Sequence, residues 1–235
     1  MSTTPTIVLV HGAFGDSGMW KGVIAKLQAQ GYTTLAVSNP LRGLESDAQY
    51  AATVAKTVDG PVVLVGHSYA GAIITRAARD ASNVEALVYV AAFQPDEGES
   101  CLENASRFAG AKMGPDTTIA TEYEGEPELR ILPEHYRDVI AGDLPAEVTD
   151  VLAVTQRSVR VQALTADLSG RPAWRTLPSW AVVATQDNAI PGQAQEFMAE
   201  RAGSHVVRME ASHAVAISQP DAVADLIIEA AKATG

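Results

Sequence analysis

The sequence predicts an α/β fold, a mainly parallel sheet of about six strands flanked by helices, and three observations carry that prediction. Short runs rich in Val, Ile and Leu alternate with longer stretches of helical periodicity, the pattern of strands buried on both faces and joined by crossover helices. The length of 235 residues, with 47% hydrophobic and 19% charged, suits a single domain spanning 1–235. Such a chain buries roughly 70 to 75% of its unfolded surface, enough for a core without metal or disulfide staples. The alternation breaks once, over about residues 96–177, where Glu, Gly and Pro punctuate short helical pieces; a helical cap inserted after the fourth strand is expected there.

The strands are expected at Ile7 to Val10, Thr33 to Val37, Val62 to Val65, Val84 to Val90, Ser179 to Thr185 and His205 to Met209, each short and mostly β-branched or aliphatic. Between the first two, Met19 to Gln30 sets Trp20, Val23, Ile24 and Leu27 on one helical stripe, and Gly31 supplies the residue that a helix end tolerates at positive φ. Ser46 is expected to cap a second helix running to about Val58, and Ala70 to Arg79 forms a third. Within the insertion, Pro145 to Gln156 carries Pro in its first turn and Val148, Val151 and Leu152 at helical spacing, so the insertion reads as helical with no buried strand. A last helix, roughly Pro220 to Lys232, completes the cover of the sheet.

Charge removes several function classes. Lys and Arg number 17 against 28 Asp and Glu, a net charge of −11, which opposes attraction to nucleic-acid phosphates or anionic membranes. Fourteen acidic and only four basic residues fall between Asp96 and Asp150, so the acidity is concentrated in the cap, where solvation of an exposed layer is the plainer expectation and repulsion of anionic ligands from a nearby site the alternative. The single Cys101 forms no internal disulfide, and Met1 to Pro5 show neither a basic start nor an apolar signal run. No apolar run approaches the roughly 20 residues of a membrane-spanning helix. The expectation is a cytoplasmic protein with no nucleic-acid or membrane partner, a monomer or homo-oligomer.

Gly66-His67-Ser68-Tyr69-Ala70-Gly71 sits where a strand ends and a helix begins. A serine that attacks a carbonyl must project from such a sharp turn, with small neighbours so that the two backbones approach closely. Gly66 and Ala70 meet that demand, although Ala70 departs from the G-x-S-x-G pattern and Gly71 follows it. A helix-capping serine is the structural alternative. Upstream, His11-Gly12-Ala13-Phe14 also follows a strand; the backbone N–H of Ala13 with that of Tyr69 can hold a developing oxyanion. Gly12, Gly15 and Gly18 also suggest a dinucleotide turn, but the spacing is wrong and no acidic ribose ligand follows the second strand at Ser38-Asn39.

A serine nucleophile needs a base, and the base an orienting acid. Of five histidines, His11 and His67 belong to the two turns, His135 to the cap and His205 to a strand start, while His213 follows the last strand at the sheet edge that Ser68 shares. Asp187, after the preceding strand, is the preferred acid and Asp96 its rival. The order Ser68, Asp187, His213 is the one this architecture requires. Phe14, Tyr69, Phe108, Leu152 and Leu164 are candidates for an apolar substrate pocket, with ordinary core packing as their alternative.

On these residues the chain resembles the α/β-hydrolase superfamily, in particular small bacterial esterase-like members related to plant methylesterases and hydroxynitrile lyases. The likeness spans nearly the whole chain through His11-Gly12-Ala13-Phe14, Gly66-His67-Ser68-Tyr69, Asp187 and Ser212-His213. It implies a lidded sheet and a cofactor-free, metal-free Ser-His-Asp hydrolase. Hydroxynitrile lyases of that group carry Thr where Gly12 stands and Lys where Ala214 stands, and haloalkane dehalogenases carry Asp where Ser68 stands, so the resemblance points to carboxylic ester hydrolysis. A slow-turnover ligand receptor on the same fold, and C–C or C–N bond hydrolysis by the same triad, remain alternatives.

Overall fold

In the computed structural model, residues 4–234 are described; the leader reading of residues 1–3 lies outside them. The chain runs β1 (Thr6–Val10), α1 (Lys21–Ala29, entered through a 3-10 turn), β2 (Thr34–Val37), α2 (Leu44–Lys56), β3 (Val62–His67), α3 (Ala70–Ala77) and β4 (Val84–Val90). The cap follows, with α4 (Cys101–Ser106), β5 (Thr118–Tyr123), β6 (Glu126–Ile131), α5 (Pro133–Ile140), α6 (Ala146–Thr155), β7 (Val159–Arg160) and α7 (Val161–Thr165). It returns through β8 (Ser179–Ala184), α8 (Gly192–Ala202), β9 (His205–Met209), α9 (Val215–Ser218) and α10 (Pro220–Ala233).

The main sheet has six strands in the order β2-β1-β3-β4-β8-β9, and every pairing is parallel. Alternation along each strand feeds two cores. Ile7, Leu9, Val63, Val65 and Val88 pack on one face with Val23 and Leu27 of α1 and Val223 and Ile227 of α10. Val8, Val10, Leu64, Leu87 and Tyr89 point the other way, against α2, α3 and α8. The four central strands β1, β3, β4 and β8, covered on both faces, carry few polar side chains, whereas the edge strands β2 and β9 are partly exposed.

Three expectations are corrected. The cap is mixed rather than helical: β5 and β6 pair antiparallel and β7 adds to them as a three-stranded sheet. Their hairpin turns on Glu124 and Gly125, both at positive φ, which is the two-residue turn whose twist suits a hairpin. Ser46 does not cap α2, which begins at Leu44; its hydroxyl donates to the Gly43 carbonyl. Asp47 serves that helix end instead, accepting the N–H groups of Arg42 and Gly43. Finally, α8 fills a stretch in which no helix was expected, and it ends on Gly203 in the left-handed conformation.

Candidate active site

Ser68 sits at φ +56°, a conformation that costs a non-glycine residue energy and persists only when its surroundings enforce it. Those surroundings are close backbone contacts. A Cβ on Gly66 would meet the Ala70 carbonyl oxygen at 2.6 Å, and one on Gly71 would collide with the Phe93 carbonyl. A Cβ on Gly12 would meet the Ser68 Cβ, also at 2.6 Å. Gly71, not Ala70, is therefore the small residue that lets α3 approach the segment after β4. The Ser68 carbonyl accepts the N–H groups of Gly71 and Phe93, which locks the turn.

From that turn Ser68 Oγ lies 2.8 Å from His213 Nε2, and His213 Nδ1 lies 2.6 Å from Asp187 Oδ2. All three residues are buried. The other Asp187 oxygen accepts the N–H groups of Ala189 and Ile190 at 2.7 and 2.9 Å, while Gln195 Nε2 donates to Oδ2 at 2.7 Å. A carboxyl surrounded by donors is an acceptor, so Nδ1 of His213 carries the proton and Nε2 faces the serine hydroxyl with its lone pair. Asp96 stands elsewhere, paired with Arg175.

Gln195 was not foreseen, because it lies on the unexpected α8. Its amide is fully used: Oε1 accepts the Ala184 N–H, and Nε2 also donates to the Ile190 carbonyl. A Gln one helical turn beyond Pro191-Gly192 is the signal that could have found it.

The two turn histidines have side-chain duties. His11 Nδ1 donates to the Gly12 carbonyl and Nε2 accepts the Asn39 N–H. Burial pushes its imidazole down to about 4, outweighing the Gly12 contact, so the ring is neutral at neutral pH. The peptide plane that ends in the Gly12 carbonyl also carries the Ala13 N–H on its opposite edge, so the ring fixes where that N–H points. Among the described residues, neither the Ala13 N–H nor the Tyr69 N–H has a protein acceptor. His67 Nε2 donates to the His213 carbonyl at 2.8 Å, and burial, reinforced by neighbouring His213, holds its ring well below the usual histidine range.

The pocket candidates divide. Phe14 and Leu152 line a cavity of about 420 Å³ beside His213, with Met19, Tyr136, Ile140 and Ile217. Leu164 lines a chamber of about 20 Å³ that contains Ser68, together with Phe93, Met113 and Ile190. Phe108 is not brought to either; it packs on Phe197 over an outer groove. The Tyr69 ring is buried away from the pocket, its hydroxyl donating to Asp47 at 2.9 Å. Among the described residues no group of three His, Cys, Asp or Glu is placed to hold a metal ion, and no helix is long and apolar enough to cross a membrane.

Comparison with known proteins identifies the fold and the family. An α/β hydrolase of Aspergillus novofumigatus is 26% identical, over 97% of this chain and 96% of its own. The protein designated methylesterase 11, chloroplastic, of Arabidopsis thaliana is 27% identical over 97% of this chain, which spans 64% of that longer protein. Among solved structures, a pyrethroid hydrolase from Sphingobium faniae superposes with a TM-score of 0.81 over 98% of both chains at 23% identity, a likeness of fold. The family model described as alpha/beta hydrolase family matches residues 7–226, and the chain belongs to that family.

Proposed function

We propose that the protein hydrolyses carboxylic esters through an acyl-enzyme, and the observation that carries this reading is the unbroken hydrogen-bonded chain Ser68, His213, Asp187. His213 Nε2 takes the Ser68 proton as Oγ bonds to the ester carbonyl carbon. The carbonyl oxygen becomes an oxyanion and accepts the N–H groups of Ala13 and Tyr69, donors already in place before charge develops. His213 then returns the proton to the departing alcohol as the tetrahedral adduct collapses. A water, deprotonated by the same nitrogen, attacks the acyl-enzyme, releases the carboxylic acid and restores Ser68. Asp187 keeps the imidazole in the required tautomer and stabilises its cation.

Substrate choice follows from the two chambers. We place the larger arm of the substrate in the largely apolar cavity of about 420 Å³ and the smaller in the adjoining Ser68 chamber of about 20 Å³, which shares Ala13, Phe14, Ile140 and His213 with it and has room for a group the size of a water or a methyl. The reading is an uncharged ester with one large apolar arm and one small arm, either the methyl ester of a bulky acid or the acetate of a bulky alcohol. The plant relative's designation as a methylesterase favours the first.

The test compares methyl arylalkanoates with aryl acetates on wild type and Ser68→Ala. The variant is expected to lose turnover by a factor on the order of 10⁴ or more, because the nucleophile and base act as a unit. Undiminished hydrolysis by Ser68→Ala would overturn the mechanism, and equal preference for esters with two large arms would overturn the substrate class.

A further inference from the structure

We infer that the cap segment 138–143 is a brace that positions both the acid and the base of the proposed triad, with Asp143 as its principal positioning residue. The inference rests on the ester-hydrolase reading and extends it to the cap. An α-helix leaves its last carbonyls without intrahelical partners. At the end of α5 two of these are used outside the cap. The Asp138 carbonyl accepts Nδ2 of Asn188, the residue after Asp187, at 2.8 Å. The Ile140 carbonyl accepts the N–H of Ala214, the residue after His213, at 3.0 Å.

Three residues further on, the Asp143 carboxylate takes the other flank of the base. One oxygen accepts the Ser212 N–H at 3.1 Å and the other the Ser212 hydroxyl. His213 is thus held between two neighbours, both tied to the cap. The acid loop has a second tie, since the Asn188 carbonyl accepts the Lys112 N–H at 2.7 Å, and Lys112 Nζ in turn pairs with Asp138. Acid and base come from different strand ends, and this one segment bonds to the chain neighbours of both.

The consequence is functional as well as structural. Proton transfer between Ser68 and His213 tolerates little misplacement, and displacement of the base by an ångström costs turnover rather than affinity. The Asp143 carboxylate faces Ser212 and does not line either substrate chamber, so its removal is expected to spare substrate binding. Because the bonds to Ser212 are made by a charged acceptor, the carboxylate is stronger in this role than a neutral amide.

The experiment measures kcat and KM for Asp143→Ala, Asp143→Asn and Ser212→Ala with an ester that wild type turns over, beside Ser68→Ala as reference and thermal melts of each. The expected result is a kcat lower by about tenfold in Asp143→Ala with KM nearly unchanged, and a smaller loss in Asp143→Asn. The double variant with Ser212→Ala should lose little more than the worse single one, because the bond from the Ser212 hydroxyl to the carboxylate is lost in both. An unchanged kcat in Asp143→Ala, a loss appearing in KM alone, or additive losses in the double variant would overturn the brace. Should the alanine variant fail to fold, the isosteric Asp143→Asn carries the same test. If Ser68→Ala keeps full activity the ester-hydrolase reading falls instead, so the two failures are distinguishable.

Discussion

The rim of the main sheet and the hairpin of the cap are built on opposite terms. At the rim, backbone touches backbone: Gly12, Gly66 and Gly71 have no room for a methyl, and the buried side chains Asp187, Gln195 and His213 are saturated with partners. In the hairpin, β5 faces solvent along nearly its whole length, with Ile119 and Tyr123 exposed. The proposed triad sits where there is no slack, and substitutions are expected to be tolerated best where contacts are few. Between these extremes lies the cap root, where Glu99 is bound by Arg201 of α8 and by Arg107.

Substitutions ordered from rim to hairpin should reproduce that gradient. The largest effect is expected of Gly71→Val, whose side chain would drive α3 off the Phe93 carbonyl; soluble yield, melting temperature and ester turnover should all collapse. Next is Gln195→Leu, which removes a donor from Asp187 and leaves the Ala184 N–H unpaired. It should cost roughly 1 to 3 kcal/mol of stability in denaturant melts and lower kcat more than it raises KM. A stable, fully active Gln195→Leu would show that the acid needs no such support.

The cap root should respond to pH. Burial alone would raise the Glu99 carboxyl, but Arg201, the Asp96 N–H and Asn104 more than offset it and hold it down at about 2. A carboxylate depressed in the folded state contributes stability that is complete above its ordinary value near 4.5 and is lost as pH falls toward 2. Glu99→Gln should therefore melt below wild type at pH 7, and the gap should close between pH 4.5 and 2. A gap independent of pH would assign Glu99 a packing role only. Smallest of all, Ile119→Thr on the exposed strand should change stability by no more than about 0.5 kcal/mol and leave ester turnover untouched.

The same contrast explains what the sequence disclosed. The central strands, buried on both faces, are written mostly in Val, Ile, Leu and Ala, and the edge strands β2 and β9 keep enough β-branched and aliphatic residues that all six are legible to within a residue or two; Ser68, Asp187 and His213 follow from their position at strand ends. The hairpin was missed because its strands, Thr118 to Tyr123 and Glu126 to Ile131, bury so little that no apolar alternation marks them; the β-formers Thr, Ile and Tyr and the Glu-Gly turn were the available signs. Gln195 and Asp143 were illegible for another reason. A polar side chain that completes a hydrogen-bond network carries no periodicity, and its partners lie up to 69 residues away along the chain. Tyr69 shows the converse, since its position beside Ser68 suggested a pocket wall while its hydroxyl is anchored to Asp47 of α2.

Treatment with a fluorophosphonate, followed by mass spectrometry of the peptides, tests the proposed chemistry most directly. The expected result is a single adduct on Ser68, absent in Ser68→Ala and formed far more slowly in His213→Ala. An adduct on another residue, or a chain that resists labelling while hydrolysing esters at full rate, would contradict it.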